Sequence, residues 1–198
     1  FLEMIRPVVF ILMLISACYA VKMETCQIPE AISDSIETTS LPITSTCSIL
    51  PNDNGVSGNI DIITNPQNPS QTDIIIHMGG LTPGNHGFHV HELPVTGNDC
   101  DSTSTHYNPT GVEHGDIDGE HHHVGDLGNI FAGQDGNAVQ TITSHTLELS
   151  GQFTVIGRSL VIHRDEDDLG CGHDDESLAN GNSGPRIACC TILAGEQN

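Results

Sequence analysis

Histidines at metal-binding spacing are the chemically most informative residues of this sequence. His89 and His91 are separated by one residue in a strand-like run, and alternate residues of a strand point to the same face of a sheet. Two imidazoles on one face make half of a metal site, because imidazole is the commonest metal ligand. Alone, the pair would also fit a solvated sheet face. Further candidate ligands follow at His106, His114, His123, Asp126 and His163.

These candidate ligands are too numerous for a single ion of ordinary coordination number. They fit two ions that share one ligand, because a histidine that has lost both protons can bind one metal through each ring nitrogen. Nitrogen-rich ligation suits copper and zinc, and several histidines with one carboxylate form a usual zinc site. The sequence therefore predicts a centre with two metal ions.

Short β-type runs separated by turn residues must position these ligands. They occupy residues 47–50, 56–64, 73–78, 87–91, 138–142, 146–149, 159–163 and 187–192. Eight such runs predict an all-β fold, an antiparallel barrel or sandwich. The one predicted helix spans residues 174–179, where acidic residues occupy the first turn.

Two long connections interrupt the even spacing of the predicted strands. They span residues 92–128 and 164–185, and the first carries most of the histidines. Loops of this length in a small domain usually have a function. We expect both loops to contribute to the metal centre.

The chain resembles the copper/zinc superoxide dismutases in several motifs. The matching segments are Gly87-Phe88-His89-Val90-His91, His106-Tyr107-Asn108-Pro109, His123-Val124-Gly125-Asp126-Leu127-Gly128-Asn129, Gly157-Arg158-Ser159-Leu160-Val161-Ile162-His163, Asp167-Asp168-Leu169-Gly170 and Gly181-Asn182-Ser183-Gly184-Pro185-Arg186-Ile187-Ala188-Cys189. The register holds from about Cys47 onward. The resemblance implies an eight-stranded Greek-key barrel or sandwich with two functional loops, and an enzyme that dismutes superoxide to oxygen and hydrogen peroxide.

The resemblance also implies roles for particular residues. Copper would be bound by His89, His91, His106 and His163, and zinc by His106, His114, His123 and Asp126. His121 and His122 could compete for zinc, but the register favours His123. His106 would bridge the metals and carry a proton during catalysis, Arg186 would position superoxide, and Asp167 would hydrogen-bond a histidine of each metal group.

The chain has more cysteines than the one disulfide that the family resemblance implies. The resemblance implies a disulfide between Cys100 and Cys189. Cys47 is expected to be a buried thiol. Cys190 is expected to point to the opposite strand face from Cys189 and to pair with Cys26 or with another subunit, while the partner of Cys171 stays open.

The charged residues limit which partners the protein can bind and how strongly it can attract superoxide. The chain has 26 acidic and 5 basic residues, a net charge of -21, which argues against nucleic acid and anionic membranes as partners. Several family members steer superoxide with lysines in the second loop, and those positions here hold Asp165 and Ala179. We therefore expect weaker steering.

The beginning of the chain predicts export. A basic residue followed by an apolar run and small residues indicates a signal peptide over residues 1–20, of which 1–3 would be read-through. Residues 21–44 are expected to form a flexible extension and 45–198 the enzyme domain. The apolar run is too short for a comfortable membrane span. We therefore expect a secreted, extracellular protein.

The resemblance implies a homodimer whose subunits meet at residues 92–94 and 191–194. Two other functions share the fold: a secreted protein that binds or buffers copper and zinc without turnover, and a non-catalytic effector. Because the chain retains all the family's ligands and Arg186, the enzyme is the favoured interpretation.

Overall fold

Residues 41–195, which the computed structural model describes, form nine β-strands, one short α-helix and one 3-10 helix. The strands are β1 Thr44–Ile49, β2 Ser57–Asn65, β3 Asn68–Gly79, β4 Gly84–His91, β5 Asp126–Ala132, β6 Ala138–Ser144, β7 Ser159–His163, β8 Arg186–Thr191 and β9 Leu193–Ala194. The helix α1 spans Asp175–Asn180, and the 3-10 helix spans Cys100–Thr103. The predicted signal peptide and most of the predicted extension lie outside the described residues.

The strands build two antiparallel sheets, with the orders β6-β3-β2-β1-β9 and β5-β4-β7-β8. Strand β5 contacts β6, and β1 contacts β8, so the two sheets meet along both edges. Because β3 pairs with β6 and β4 pairs with β7, the connections cross between the sheets in the Greek-key manner. The predicted all-β class is confirmed, with eight strands of five or more residues and one of two.

Alternation along the strands creates the core. Ile60 and Ile62 of β2 face Ile76 and Ile74 of β3 across the register, and all four are fully buried. The residue between each pair points to the other face of the sheet, as a period of two requires. Apolar side chains from both sheets meet inside the barrel, and this packing fixes the register of the strands that carry the site.

Two details of the strand prediction were wrong. Residues 146–149 do not form a strand, because the Ser144 hydroxyl accepts hydrogen bonds from the backbone N–H groups of Thr146 and Leu147 and turns the chain. Strand β5 was not predicted: its first three residues fall in the predicted first loop, and residues 129–132 were assigned to no element. Its sequence DLGNIFA is interrupted by turn-type residues and is buried on both faces over its first three positions, so it shows no alternation.

One expectation for the cysteines is also wrong. Cys47 is not a thiol but is disulfide-bonded to Cys190, so Cys190 pairs neither with Cys26 nor with another subunit. The bond joins β1 to β8 at the edge where the two sheets meet. A second disulfide joins Cys100 to Cys189 and ties the 3-10 helix to β8. Cys171 is exposed and is the one cysteine among residues 41–195 outside a disulfide.

The two long loops connect strands of the second sheet. The first, residues 92–125, is anchored by Arg158, whose guanidinium lies 3.5 Å above the Tyr107 ring and donates a hydrogen bond to the Glu92 carboxylate. The second, residues 164–185, contains α1, which Asp174 caps by accepting a hydrogen bond from the Ser177 N–H. Within residues 41–195 there is no helix of the length and apolarity that crossing a membrane requires.

Candidate metal centre

Adjacent strands β4 and β7 provide three of the candidate ligands. His89 and His91 lie on β4, and His163 ends β7, which pairs with β4. The first loop returns to this sheet at His106, which forms an isolated β-bridge with His91. Sheet pairing thus brings residues far apart in sequence to one place, and all four imidazoles are buried.

These four histidines form the first of two groups, in which the possible ligand atoms lie within 4.8 Å of one another. His91 Nδ1 donates to the Ser104 carbonyl at 2.9 Å, and His163 Nδ1 donates to the Gly184 carbonyl at 2.9 Å. Those bonds fix the tautomers and leave Nε2 of both rings as lone-pair donors, 3.3 Å apart. Backbone carbonyls of both loops therefore orient this group.

The second group contains His106, His114, His123 and Asp126. Nδ1 of His106, His114 and His123 lie 2.9, 3.0 and 3.1 Å from Oδ1 of Asp126. The other oxygen, Oδ2, accepts hydrogen bonds from the N–H groups of Gly115 and His123. The carboxylate is held by the backbone and presents one oxygen to three imidazoles.

Asp167 connects the two groups. Its Oδ2 lies 2.8 Å from Nε2 of His89, and its Oδ1 lies 2.8 Å from Nε2 of His114. Gly181, which follows α1 with a positive φ of 69°, permits this contact, because a Cβ at that position would overlap the carboxylate of Asp167. The second loop therefore holds one histidine of each group in place through hydrogen bonds to Asp167.

The donor atoms fit resident metal ions. Among the described residues, three buried ring nitrogens have no hydrogen-bond partner: His89 Nδ1, His106 Nε2 and His114 Nδ1. His114 Nδ1 is close to Asp126, but not in hydrogen-bonding geometry. Buried polar atoms without partners are rare, and here all three point into the groups. Four imidazoles suit copper, and three imidazoles with one carboxylate suit zinc.

Burial keeps the first group neutral. Burial and the neighbouring His106 lower the pKa of both His89 and His91 well below the usual histidine range. Burial lowers the pKa of His163 to about 4, although its hydrogen bond to Gly184 opposes the shift. Neutral imidazoles at physiological pH are the form that binds a metal ion.

The carboxylates make the second group different. Burial alone would lower the pKa of His114, but the close contact with Asp126, the hydrogen bond to Asp167 and the negative charges of both carboxylates outweigh it and raise that pKa to about 9. Burial would raise the pKa of Asp126, but the imidazoles of His106, His114 and His123 hold it well below its usual range. This group therefore favours a positive charge at its centre.

A cavity of about 430 Å³ opens onto the first group. His91, His106 and His163 line it together with Arg186, Glu176 and Ala179. Arg186 is half-buried and donates from Nη1 to the Cys100 carbonyl at 3.0 Å and from Nη2 to the Ser104 carbonyl. A small anion in this cavity would meet a guanidinium and the imidazoles together.

The structure brings together every residue that the sequence nominated for the two metals, and Asp167 and Arg186 lie beside them. Neither His121, which is exposed, nor His122, which is half-buried, belongs to either group. Two further groups, the backbone carbonyls of Ser104 and Gly184, orient His91 and His163 and were not predicted from the sequence. A carbonyl carries no residue-type signal, so only the folded loops reveal them.

A comparison with models of protein families identifies the family of this chain. The family model described as copper/zinc superoxide dismutase matches residues 56–192, which is more than half of the chain. The match includes both metal groups, Asp167, Arg186 and seven of the eight longer strands. Members of this family bind copper and zinc. The chain belongs to the copper/zinc superoxide dismutase family.

Proposed function

We propose that the protein dismutes superoxide, with copper held by the first group and zinc by the second. One observation carries the proposal: His106 belongs to both groups and presents a different nitrogen to each. Nδ1 is turned to Asp126, and the buried Nε2 is turned to the first group without a partner among the described residues. The other five histidines have one nitrogen bonded to a protein oxygen outside their group.

The metals would divide the chemistry. Copper supplies an ion that accepts an electron from one superoxide anion and donates an electron to the next, whereas zinc does not change its oxidation state. Two superoxide anions and two protons then give one dioxygen and one hydrogen peroxide. The protein has to bind the anion, exclude competing ligands and provide a proton.

Arg186 is the residue that binds and orients the anion. Nε and one N–H of Nη2 donate to no acceptor among residues 41–195, while Nη1 is held by the first loop. The guanidinium of Arg186, which lines the cavity, therefore has two N–H groups available to a diatomic anion. In a chain with a net charge of -21, this local positive charge is the main attraction besides the metals.

His106 is the residue that handles the proton. His106 lines the cavity, and its buried Nε2 is turned to the imidazoles of the first group, so it can hold a proton near the bound anion and release it to the forming peroxide. The second proton comes from water that enters the cavity.

The proposal places the enzyme outside the cell as a homodimer. Two disulfides fit an oxidising compartment, as does the apolar run before residue 20. Leu93 and Leu193 are 48% and 59% exposed, and they lie on the segments where the family's subunits meet. Pairing of two copies would bury both leucines.

Metal analysis combined with superoxide consumption tests the function. The protein, produced under oxidising conditions, should bind one copper and one zinc per chain and convert superoxide to hydrogen peroxide in stopped-flow measurements. His163→Gln should lose copper and turnover but keep zinc, while His145→Gln, at an exposed histidine outside both groups, should change neither. Full metal content without turnover would instead support the metal-buffering function.

A further inference from the structure

Among the groups that accept hydrogen bonds from Arg186 in the described structure, one is a side chain, the hydroxyl of Thr103. Arg186 Nη1 donates to the carbonyls of Cys100 and Asp101 at 3.0 and 3.3 Å and to Thr103 Oγ1 at 3.1 Å. The carbonyls exist whatever residue occupies those positions. The hydroxyl depends on residue type and is the part of this contact that the sequence specifies.

The hydroxyl of Thr103 can act only as an acceptor toward Arg186. Its proton is donated to the Cys100 carbonyl at 2.7 Å, which leaves the oxygen lone pairs to face the guanidinium. Thr103 is fully buried, and its backbone carbonyl accepts a hydrogen bond from the Leu93 N–H. The side chain therefore has little freedom to rotate away from Arg186.

The neighbouring residue, Ser104, lies between Arg186 and a candidate metal ligand. The Ser104 carbonyl accepts hydrogen bonds from both Arg186 Nη2 and His91 Nδ1. Ser104 has φ 66° and ψ -148°, a backbone region that is almost restricted to glycine. The contacts around this turn must therefore hold a strained backbone, and Thr103 is the side chain that fastens it to Arg186.

We propose that Thr103 is a positioning residue for Arg186: its hydroxyl fixes the rotation of the guanidinium so that Nε and the second N–H of Nη2 face the cavity. The proposal rests on the proposed function only in taking a small anion as the ligand of that cavity. It predicts that loss of the hydroxyl weakens anion binding while metal content stays unchanged.

Azide is a suitable probe, because it is a small anion whose binding to the copper-loaded protein can be followed by absorption spectroscopy. Thr103→Val, which keeps the shape but removes the hydroxyl, should weaken azide binding about tenfold, as expected for one lost hydrogen bond to a charged group. Thr103→Ser should bind azide like the original protein. Ser102→Ala, which removes a hydroxyl of the same turn that does not reach Arg186, should also leave the affinity unchanged.

A second measurement needs neither copper nor turnover. In copper-free, zinc-loaded protein, the Nη1–H protons of Arg186, one of which Thr103 accepts, should exchange with solvent faster in Thr103→Val than in Thr103→Ser. Thr103→Ala replaces Thr103→Val in this comparison if the valine variant does not fold. Equal azide affinities and equal exchange rates in the serine and hydroxyl-free variants would overturn the proposal. An equal loss in Thr103→Ser and Thr103→Val would also overturn it, because the hydroxyl would then not be the cause.

The two measurements separate this proposal from the function. If the protein binds copper but does not consume superoxide, the azide and exchange comparisons still decide the role of Thr103. If it consumes superoxide and Thr103→Val behaves like the original protein in both comparisons, the function stands and the positioning role is refuted.

Discussion

Oδ2 of Asp167 accepts a hydrogen bond from Nε2 of His89 over 2.8 Å, and both side chains are completely buried. The bond requires the Nε2–H tautomer of His89 and so directs Nδ1 into the first metal group. The other carboxylate oxygen does the same for His114 in the second group. One side chain of the second loop therefore sets the tautomers of one histidine in each group.

Replacing Asp167 with asparagine should weaken metal binding at both groups. We expect the affinity for zinc and for copper to fall about tenfold to hundredfold, the usual effect of losing a hydrogen-bond partner of a ligand. Competition with a chelator of known affinity measures the change. Glu166→Gln, which alters an adjacent exposed acid, is the control, and an equal loss in both variants would refute the specific role of Asp167.

Replacing Arg186 with isoleucine should slow superoxide consumption about tenfold to hundredfold, because the anion loses its positioned hydrogen-bond donors. Copper and zinc contents should not change, since Arg186 is in neither metal group. Stopped-flow kinetics at fixed salt give the rate. Arg164→Ile is the matched control, because Arg164 is exposed, pairs with Asp165 and does not line the cavity. A comparable loss in the control would indicate that general charge, not position, matters.

The rate should depend only weakly on ionic strength. Enzymes of this class are a standard example of electrostatic steering, which salt screens. Among the described residues, Arg186 is the only lysine or arginine that lines the cavity, and Ala179 lines it as well. Ala179→Lys should raise the rate at low salt and make its decline with added salt steeper. A steep decline already present in the original protein would contradict this expectation.

The Cys47–Cys190 disulfide should contribute to stability and not to catalysis. The two residues are 143 positions apart, and a chain-entropy argument for a loop of that size gives about 5 kcal/mol as an upper figure. Neither residue lines the cavity at His91 and His163. The double variant Cys47→Ala, Cys190→Ala should therefore unfold at lower denaturant concentration with an unchanged rate per bound copper. Cys171→Ala should not alter the midpoint.

Ser183→Ala should stabilise the protein slightly. Ser183 is fully buried, and its hydroxyl has no hydrogen-bond partner among the described residues. An unsatisfied buried hydroxyl costs about 1–3 kcal/mol, so we expect the free energy of unfolding to rise by about 1 kcal/mol. Denaturant titration of the metal-loaded protein measures it. A loss of stability would show that the hydroxyl is satisfied in solution.

The sequence was sufficient for features that depend on local spacing. The period of a strand puts His89 and His91 on one face, and the acidic first turn marks the helix within one residue of α1. The same period also indicated that Cys190 faces away from Cys189. Its partner, however, depends on how two sheets close at β1 and β8, a nonlocal contact that no spacing expresses. The carbonyls of Ser104 and Gly184 could not be predicted either, because their hydrogen bonds to His91 and His163 also depend on nonlocal contacts.

Adjacent Cys189 and Cys190 impose an order on biosynthesis. Both described disulfides need β8, so neither can form before the ribosome has released residue 190. Until then the thiols of Cys47 and Cys100 lack their native partners, and an oxidant can join them in a non-native bond. Formation of both native disulfides is therefore a late step, and thiol–disulfide exchange that resolves such a non-native bond should accelerate it.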